Sequence, residues 1–122
     1  MANKIRSFTD LDTWKHGHKL VIQIYQLVKS FPAEEKFGLS DQMRRCAVSI
    51  TSNIAEGFSR KTNKDKTQFY HTALGSLTEL QNQLMICRDI GYCDKSVFED
   101  LANQSVTVSK LINGLISYLS HT

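Results

Sequence analysis

An all-α chain, folded as an antiparallel up-down-up-down four-helix bundle, is the structure this sequence predicts, on three observations. Apolar residues recur at alternating steps of three and four in four separate segments. One proline and six glycines punctuate 122 residues, too few for many short strands. The connections between segments are short, which makes successive helices antiparallel neighbours.

The first helix is expected over residues 11–30. Leu11, Trp14, His18, Val21, Tyr25 and Val28 form one stripe, and Leu20, Ile24, Leu27 and Phe31 form a second beside it, so a wide face is buried. Thr9, Asp10 and Asp12 offer a cap and first-turn acids, and Phe31-Pro32 stops the helix because the residue before proline is pushed out of the α region. The second helix, 40–58, opens at Ser40-Asp41-Gln42 as its cap. It turns Leu39, Met43, Cys46, Ala47, Ile50, Ile54 and Phe58 one way, and Gly57 closes it. The third, 64–90, has the cleanest spacing, with Tyr70, Ala73, Leu77, Leu80, Leu84 and Cys87 at coiled-coil steps before Gly91. Asp94 caps a fourth helix, 95–119, carrying Phe98, Leu101, Ser105, Val108, Ile112, Leu115 and Leu119.

Length and composition agree with one domain over residues 1–122. Hydrophobic residues at 41% and charged residues at 22% are globular values that exclude a disordered tail. No run approaches the roughly 20 apolar residues a bilayer span needs, and the positive start Met1–Arg6 has no apolar stretch behind it to make a secretory signal. A cytoplasmic location is therefore expected. Cys46, Cys87 and Cys93 are odd in number with no C-x-x-C pair, which fits free thiols and neither a disulfide framework nor a zinc knuckle.

Tests for catalysis return nothing. Helical bundles that hold two metal ions use Glu-x-x-His pairs, and none occurs; His16 and His18, two apart, point to different faces of a helix. An Arg followed four to six residues later by His, a G-x-S-x-G elbow and a phosphate-cradling glycine loop are all missing. The expectation is a protein that is not an enzyme and holds no metal or cofactor.

Two groups of residues stand out. On the second helix Arg45, Ser49, Ser52, Asn53, Glu56 and Arg60 make a polar line, read either as a hydrogen-bonded layer that fixes helix register or as a subunit or ligand interface. Gly75-Ser76 on the third helix would admit a close backbone in either case. The second group is Arg60, Lys61, Lys64 and Lys66, four cations in seven residues. They form either a solvated loop or a nucleic-acid contact that Lys15, His16, Lys19, Arg44 and Arg45 extend, gripping phosphates without reading bases. Residues 1–66 hold 12 Lys and Arg against 7 Asp and Glu, whereas residues 67–122 hold 3 against 5, so the cations concentrate in the first half of the sequence.

Phe31-Pro32, Glu35, Gly38-Leu39, Gln42, Arg44-Arg45, Ala47-Val48-Ser49-Ile50 and Ser52-Asn53-Ile54-Ala55-Glu56-Gly57 resemble the core signature of the bacterial 23S rRNA intervening-sequence proteins. Phe69, Ala73, Gly75-Ser76-Leu77, Glu79-Leu80 and Gly91-Tyr92 look like that family's third helix, and Leu11 and Trp14 its first. Thr51 and Cys46 depart from the pattern, where proline and alanine are common; Thr51 restores a backbone donor and predicts a less kinked helix.

The resemblance implies a bundle that assembles as a ring-shaped homopentamer, encoded in some bacteria within insertions of large-subunit ribosomal RNA genes. It is similar as well to the accessory variability protein of diversity-generating retroelements, a basic pentamer that binds nucleic acid and a reverse transcriptase. RNA or DNA, a reverse transcriptase and further copies of the chain are thus the expected partners. The residues leave two readings of the first helix, whose two apolar stripes exceed the single face a bundle uses: Trp14, Leu20, Ile24 and Leu27 are interface candidates for self-association, the expectation taken here, or the wide face is simply the core of a compact bundle.

Overall fold

The computed structural model describes residues 4–122; residues 1–3, the start of the segment read above as carrying no secretory signal, lie outside the described residues. Four helices follow one another: α1 (Asp12–Val28), α2 (Leu39–Ser59), α3 (Asn63–Asp89) and α4 (Lys95–Ser120), with 3-10 turns at Phe8–Asp10 and Ala33–Glu35.

The helix ends show how local chemistry sets the boundaries. Ser7, not Thr9, caps the opening 3-10 turn: its hydroxyl accepts from Thr9 N, while the Asp10 carboxylate accepts from Arg6 N at 2.9 Å and Ser7 N at 3.1 Å. Those two amides hold the Asp10 carboxyl below its ordinary range. α1 stops at Val28, two residues sooner than the apolar spacing predicts. Ser30 N and Phe31 N donate three residues back, to Leu27 O and Val28 O, so the last turn tightens before Pro32.

α2 starts at Leu39, and Ser40 is buried in its first turn and does not cap it. The side chain of Glu35 does that work, accepting from Leu39 N at 3.3 Å while its other oxygen accepts from the Tyr92 hydroxyl at 2.8 Å. Phe31 packs against Tyr92 in a tilted contact with ring centroids 5.0 Å apart, so one carboxylate and two aromatics tie the α1–α2 loop to the α3–α4 loop. Thr62 caps α3 through Asp65 N, and Asp94 caps α4 through Val97 N. At the end of α3, Gly91 has φ +83° and Tyr92 N reaches back to Cys87 O at 2.8 Å, a left-handed stop that favours glycine.

Successive helices pack side by side, α1 closes the cycle against α4, and the diagonal pairs stay apart. The course is up-down-up-down, as the register shows. From Met43 through Cys46 to Gly57, α2 meets α3 at Cys87, Ser76 and Tyr70 in turn, and α3 meets α4 as Gln81 with Ser105 and Arg88 with Phe98. The core is a column of Leu20, Ile24, Met43, Ile50, Ile54, Leu77, Leu80, Leu84, Val108 and Ile112, each under 2% exposed. Burial at that level contributes about 1.5–3 kcal/mol per large side chain.

This column corrects one expectation. Leu20 and Ile24 are fully buried and Leu27 is 8% exposed, so all three belong to the core of a single chain and cannot face a second copy. The surplus stripe on α1 is absorbed because α1 packs on both α2 and α4. Trp14 is half-buried, packed edge-on to Phe8 and stacked on His18. Thr51 sits in an unbroken α2, its methyl 3.1 Å from where a side chain on Gly17 would begin, so it packs the α1–α2 crossing.

Candidate nucleic-acid interface

The polar line of α2 divides in two. Ser49 and Ser76 share a hydroxyl hydrogen bond of 2.8 Å across α2 and α3, and the Asn53 amide donates to Ser49 O at 2.8 Å and to its hydroxyl at 3.2 Å. The Cys46 thiol donates to Ser76 O at 2.9 Å; burial, with Glu79 nearby, pushes it up to about 12, so it stays a protonated thiol. These groups satisfy one another inside one chain. Ser52 and Gly75 face solvent, and a side chain built on Gly75 meets nothing within 4 Å. Glu56 and Arg60 pair at 3.6 Å in the open, where such a pair contributes about 0.3–0.5 kcal/mol.

The basic cluster divides likewise. Lys66 is half-buried, and its ammonium donates to Phe58 O at 2.6 Å and Gly57 O at 3.5 Å, satisfying the carboxyl end of α2. The Arg60 guanidinium lies 4.6 Å over the Phe69 ring besides pairing with Glu56. Lys61 and Lys64 are exposed, with no hydrogen-bond or ion-pair partner among the described residues. They stand beside Thr62 at the start of α3, where the helix dipole favours an anion.

Arg44 and Arg45 do not extend this cluster. They sit in the first turns of α2, about 23 Å along the helix from Arg60 by its rise per residue, and Arg45 is spent on Asp41 at 2.9 Å. Lys15 and Lys19 do belong to the same end, because α1 begins where α2 finishes.

Folding turns the charge asymmetry along the sequence into one of the same net size along the bundle. Contacts between Ser49 and Ser76 and between Gln81 and Ser105 mark the mid-bundle level. On one side of it lie the start of α1, the end of α2, the start of α3 and the end of α4, with nine Lys and Arg against four Asp and Glu; on the other side six face eight. Lys4, Arg6 and Lys110 join the basic end, and the spacing of α4 alone could not place Lys110 there, because the side-by-side packing of α1 and α4 is a property of the topology. All four histidines, His16, His18, His71 and His121, lie in that half. Among the described residues no three His, Cys, Asp or Glu side chains converge as a metal ion would require, and no helix is long and apolar enough to cross a membrane.

Comparison with known proteins agrees with the bundle. Among solved structures, one that the chain is similar to is a 1.70 Å crystal structure of a protein with unknown function from the S23 ribosomal protein family of Bacteroides thetaiotaomicron VPI-5482. The TM-score is 0.80 at 24% identity, covering 86% of this chain and 95% of that one, and at that identity the likeness is one of fold. No curated protein matches the sequence. The 23S rRNA-intervening sequence protein family matches residues 9–114, from the turn before α1 into the last third of α4, with the Ser49–Ser76 layer and the Glu35–Tyr92 tie inside that span. The chain belongs to the 23S rRNA-intervening sequence protein family.

Proposed function

We propose that this protein is a non-enzymatic, self-assembling bundle that associates with RNA, or another nucleic acid, through its basic end, in the cytoplasm. The observation that carries the reading is the segregation of charge: cations outnumber carboxylates nine to four at the end where α2 hands over to α3. A surface of one sign attracts a polyanion from a distance and releases counterions on contact. Lys61, Lys64, Lys15 and Lys19 are the side chains free to take phosphates, while Arg60 and Lys66 are already engaged at home.

The test is binding of labelled RNA at low salt and again as salt rises. A phosphate-driven complex loses about 0.7 log units of affinity per tenfold salt for each single-strand contact. Absence of binding at low salt overturns the reading and leaves a scaffold for proteins, for which a reverse transcriptase is the partner that the family resemblance offers.

A separate observation favours self-association. Leu84, Met85, Phe98, Ala102 and Val106 line an apolar groove between α3 and α4, where Met85 is 50% and Val106 46% exposed. Gly75 weakens the middle of α3 with no contact in its own chain to account for it. A homopentamer is the assembly this proposal adopts. A monomeric mass of 13.9 kDa in sedimentation at micromolar concentration refutes it.

A further inference from the structure

The basic end carries a second group, away from the α2–α3 corner. α4 lies along α1, fixed by the Thr13 hydroxyl donating to Leu111 O at 3.5 Å and the Gln104 amide donating to His16 O at 2.9 Å. From these anchors the helical repeat sets Lys15 and Lys19 of α1 on the same outer face as Lys110, Gly114 and Tyr118 of α4. None of the three lysines has an ion-pair partner among the described residues. The neighbouring carboxylates are Asp12 and Asp10, and Asp10 is already bonded to two backbone amides.

Tyr118 is 67% exposed, and its side chain makes no hydrogen bond among the described residues. A helical side chain leans over the turn before it, and the residue there is Gly114, where an added side chain would meet nothing within 4 Å. The phenol ring therefore has an open flank beside a helix surface kept bare by glycine, with cations about 12 Å up α4 and across on α1. Tyr118 lies past residue 114, where the family match ends.

We infer that the α1–α4 face binds single-stranded nucleic acid, one base stacking on Tyr118 while Lys110, then Lys15 and Lys19, hold phosphates successively further along the strand. The inference rests on the nucleic-acid reading above and adds the strand class and the surface. A duplex buries the faces of its bases, so only an unpaired strand can lay one against an exposed ring, and a cationic surface with an aromatic platform is how such strands are held.

Fluorescence anisotropy with a labelled 20-nucleotide oligouridine, an oligothymidine of the same length and an RNA duplex tests it on the full chain. Wild-type protein should bind both single strands more tightly than the duplex. Tyr118→Ala should weaken single-strand binding about 5- to 100-fold with an unchanged salt slope, and Tyr118→Phe should hold affinity within about twofold. The triple variant Lys15→Gln, Lys19→Gln, Lys110→Gln should flatten the slope of log affinity against log salt by about 2. RNA binding that neither Tyr118→Ala nor the triple variant alters overturns this inference and leaves the basic-end reading standing. Duplex binding as tight as single-strand binding overturns the stacking, and no binding of any probe at low salt overturns both readings.

Discussion

Replacing Gly57 by alanine tests whether packing, and not helix propensity, governs the handover from α2 to α3. A Cβ at that position would lie 2.7 Å and 3.0 Å from two ring carbons of Tyr70 and 3.1 Å from Phe69 Cβ. Carbon atoms settle about 3.5–4.0 Å apart, so the ring must retreat by close to an ångström. It has nowhere to go, since Tyr70 is 3% exposed and Phe69 Cβ is rigidly tied to the α3 backbone. Overpacking of this kind costs about 1–3 kcal/mol, against which removing a glycine from a helix returns about 0.5–1 kcal/mol. A 2.7 Å approach to a ring that cannot retreat lies in the upper part of that cost range, about 2–3 kcal/mol, so the expected result is a net loss of about 1–2 kcal/mol, seen as a fall in Tm of about 4–10 °C by far-UV circular dichroism at fixed protein concentration. Gly114→Ala is the internal control. An added side chain there meets nothing, so the same substitution should stabilise by about 0.5–1 kcal/mol. A Gly57→Ala protein as stable as wild type, or shifted in the same direction as Gly114→Ala, would refute the packing argument.

Three further expectations follow from the same geometry. Lys66→Gln should lower stability by about 1 kcal/mol in urea titrations, because it removes a charged donor from the carbonyls of Gly57 and Phe58, whereas Lys61→Gln and Lys64→Gln should shift it by less than about 0.5 kcal/mol; equal losses in all three would contradict the assignment. The hydrogen bond to Glu35 raises the Tyr92 hydroxyl above its ordinary value of 10.0. A folded value above the unfolded one contributes stability below the unfolded value and loses it as pH rises through the folded one. The stability difference between wild type and Tyr92→Phe should therefore be present at pH 8 and shrink above pH 10, and a difference that persists unchanged through alkaline pH would show that the hydrogen bond to Glu35 does not tie the loops. Ellman's reagent at pH 8 should react readily with Cys93 alone in the native protein and with three thiols in denaturant, since Cys46 and Cys87 are buried and pushed up to about 12; fast reaction of more than one native thiol would show that the core opens.

The bundle was legible in the sequence because its periodicities are local. Six apolar positions of α3, Tyr70 to Cys87, all prove buried, and Asp94 caps α4 as its position before an apolar run predicts. The caps ahead of α1 and α2 were not, because Ser7 caps a 3-10 turn that no apolar pattern announces, α1 itself starts after Leu11 with no side-chain cap, and Glu35 reaches Leu39 from a neighbouring loop. The candidate site was legible only as composition. Four cations between residues 60 and 66 read alike on paper, yet Arg60 stacks on Phe69 and Lys66 closes the end of α2, leaving Lys61 and Lys64 free. Likewise Arg44 and Lys15 were read as one patch and end up at opposite ends, because separation along a chain carries no information about which end of a bundle a residue reaches.

The residues that carry the family resemblance are largely those that hold the bundle together. Phe31, Glu35 and Tyr92 bind the two loops at the acidic end, Ser49, Asn53 and Ser76 lock α2 to α3, and Gly57 lets Tyr70 close the basic end. A resemblance built on such residues transmits a fold with high fidelity, and says little about the surface that meets a partner. The cations free to act, Lys61, Lys64, Lys15, Lys19 and Lys110, and the exposed ring of Tyr118 lie outside that set. Two bundles of this family can therefore share every buried contact and differ in what they bind. Exchanging Lys61, Lys64 and Lys110 for glutamine should accordingly leave far-UV circular dichroism and sedimentation unchanged while reducing RNA affinity. A loss of helicity in that variant would show that the surface cations and the bundle are one system, and that the separation of scaffold from surface argued here is false.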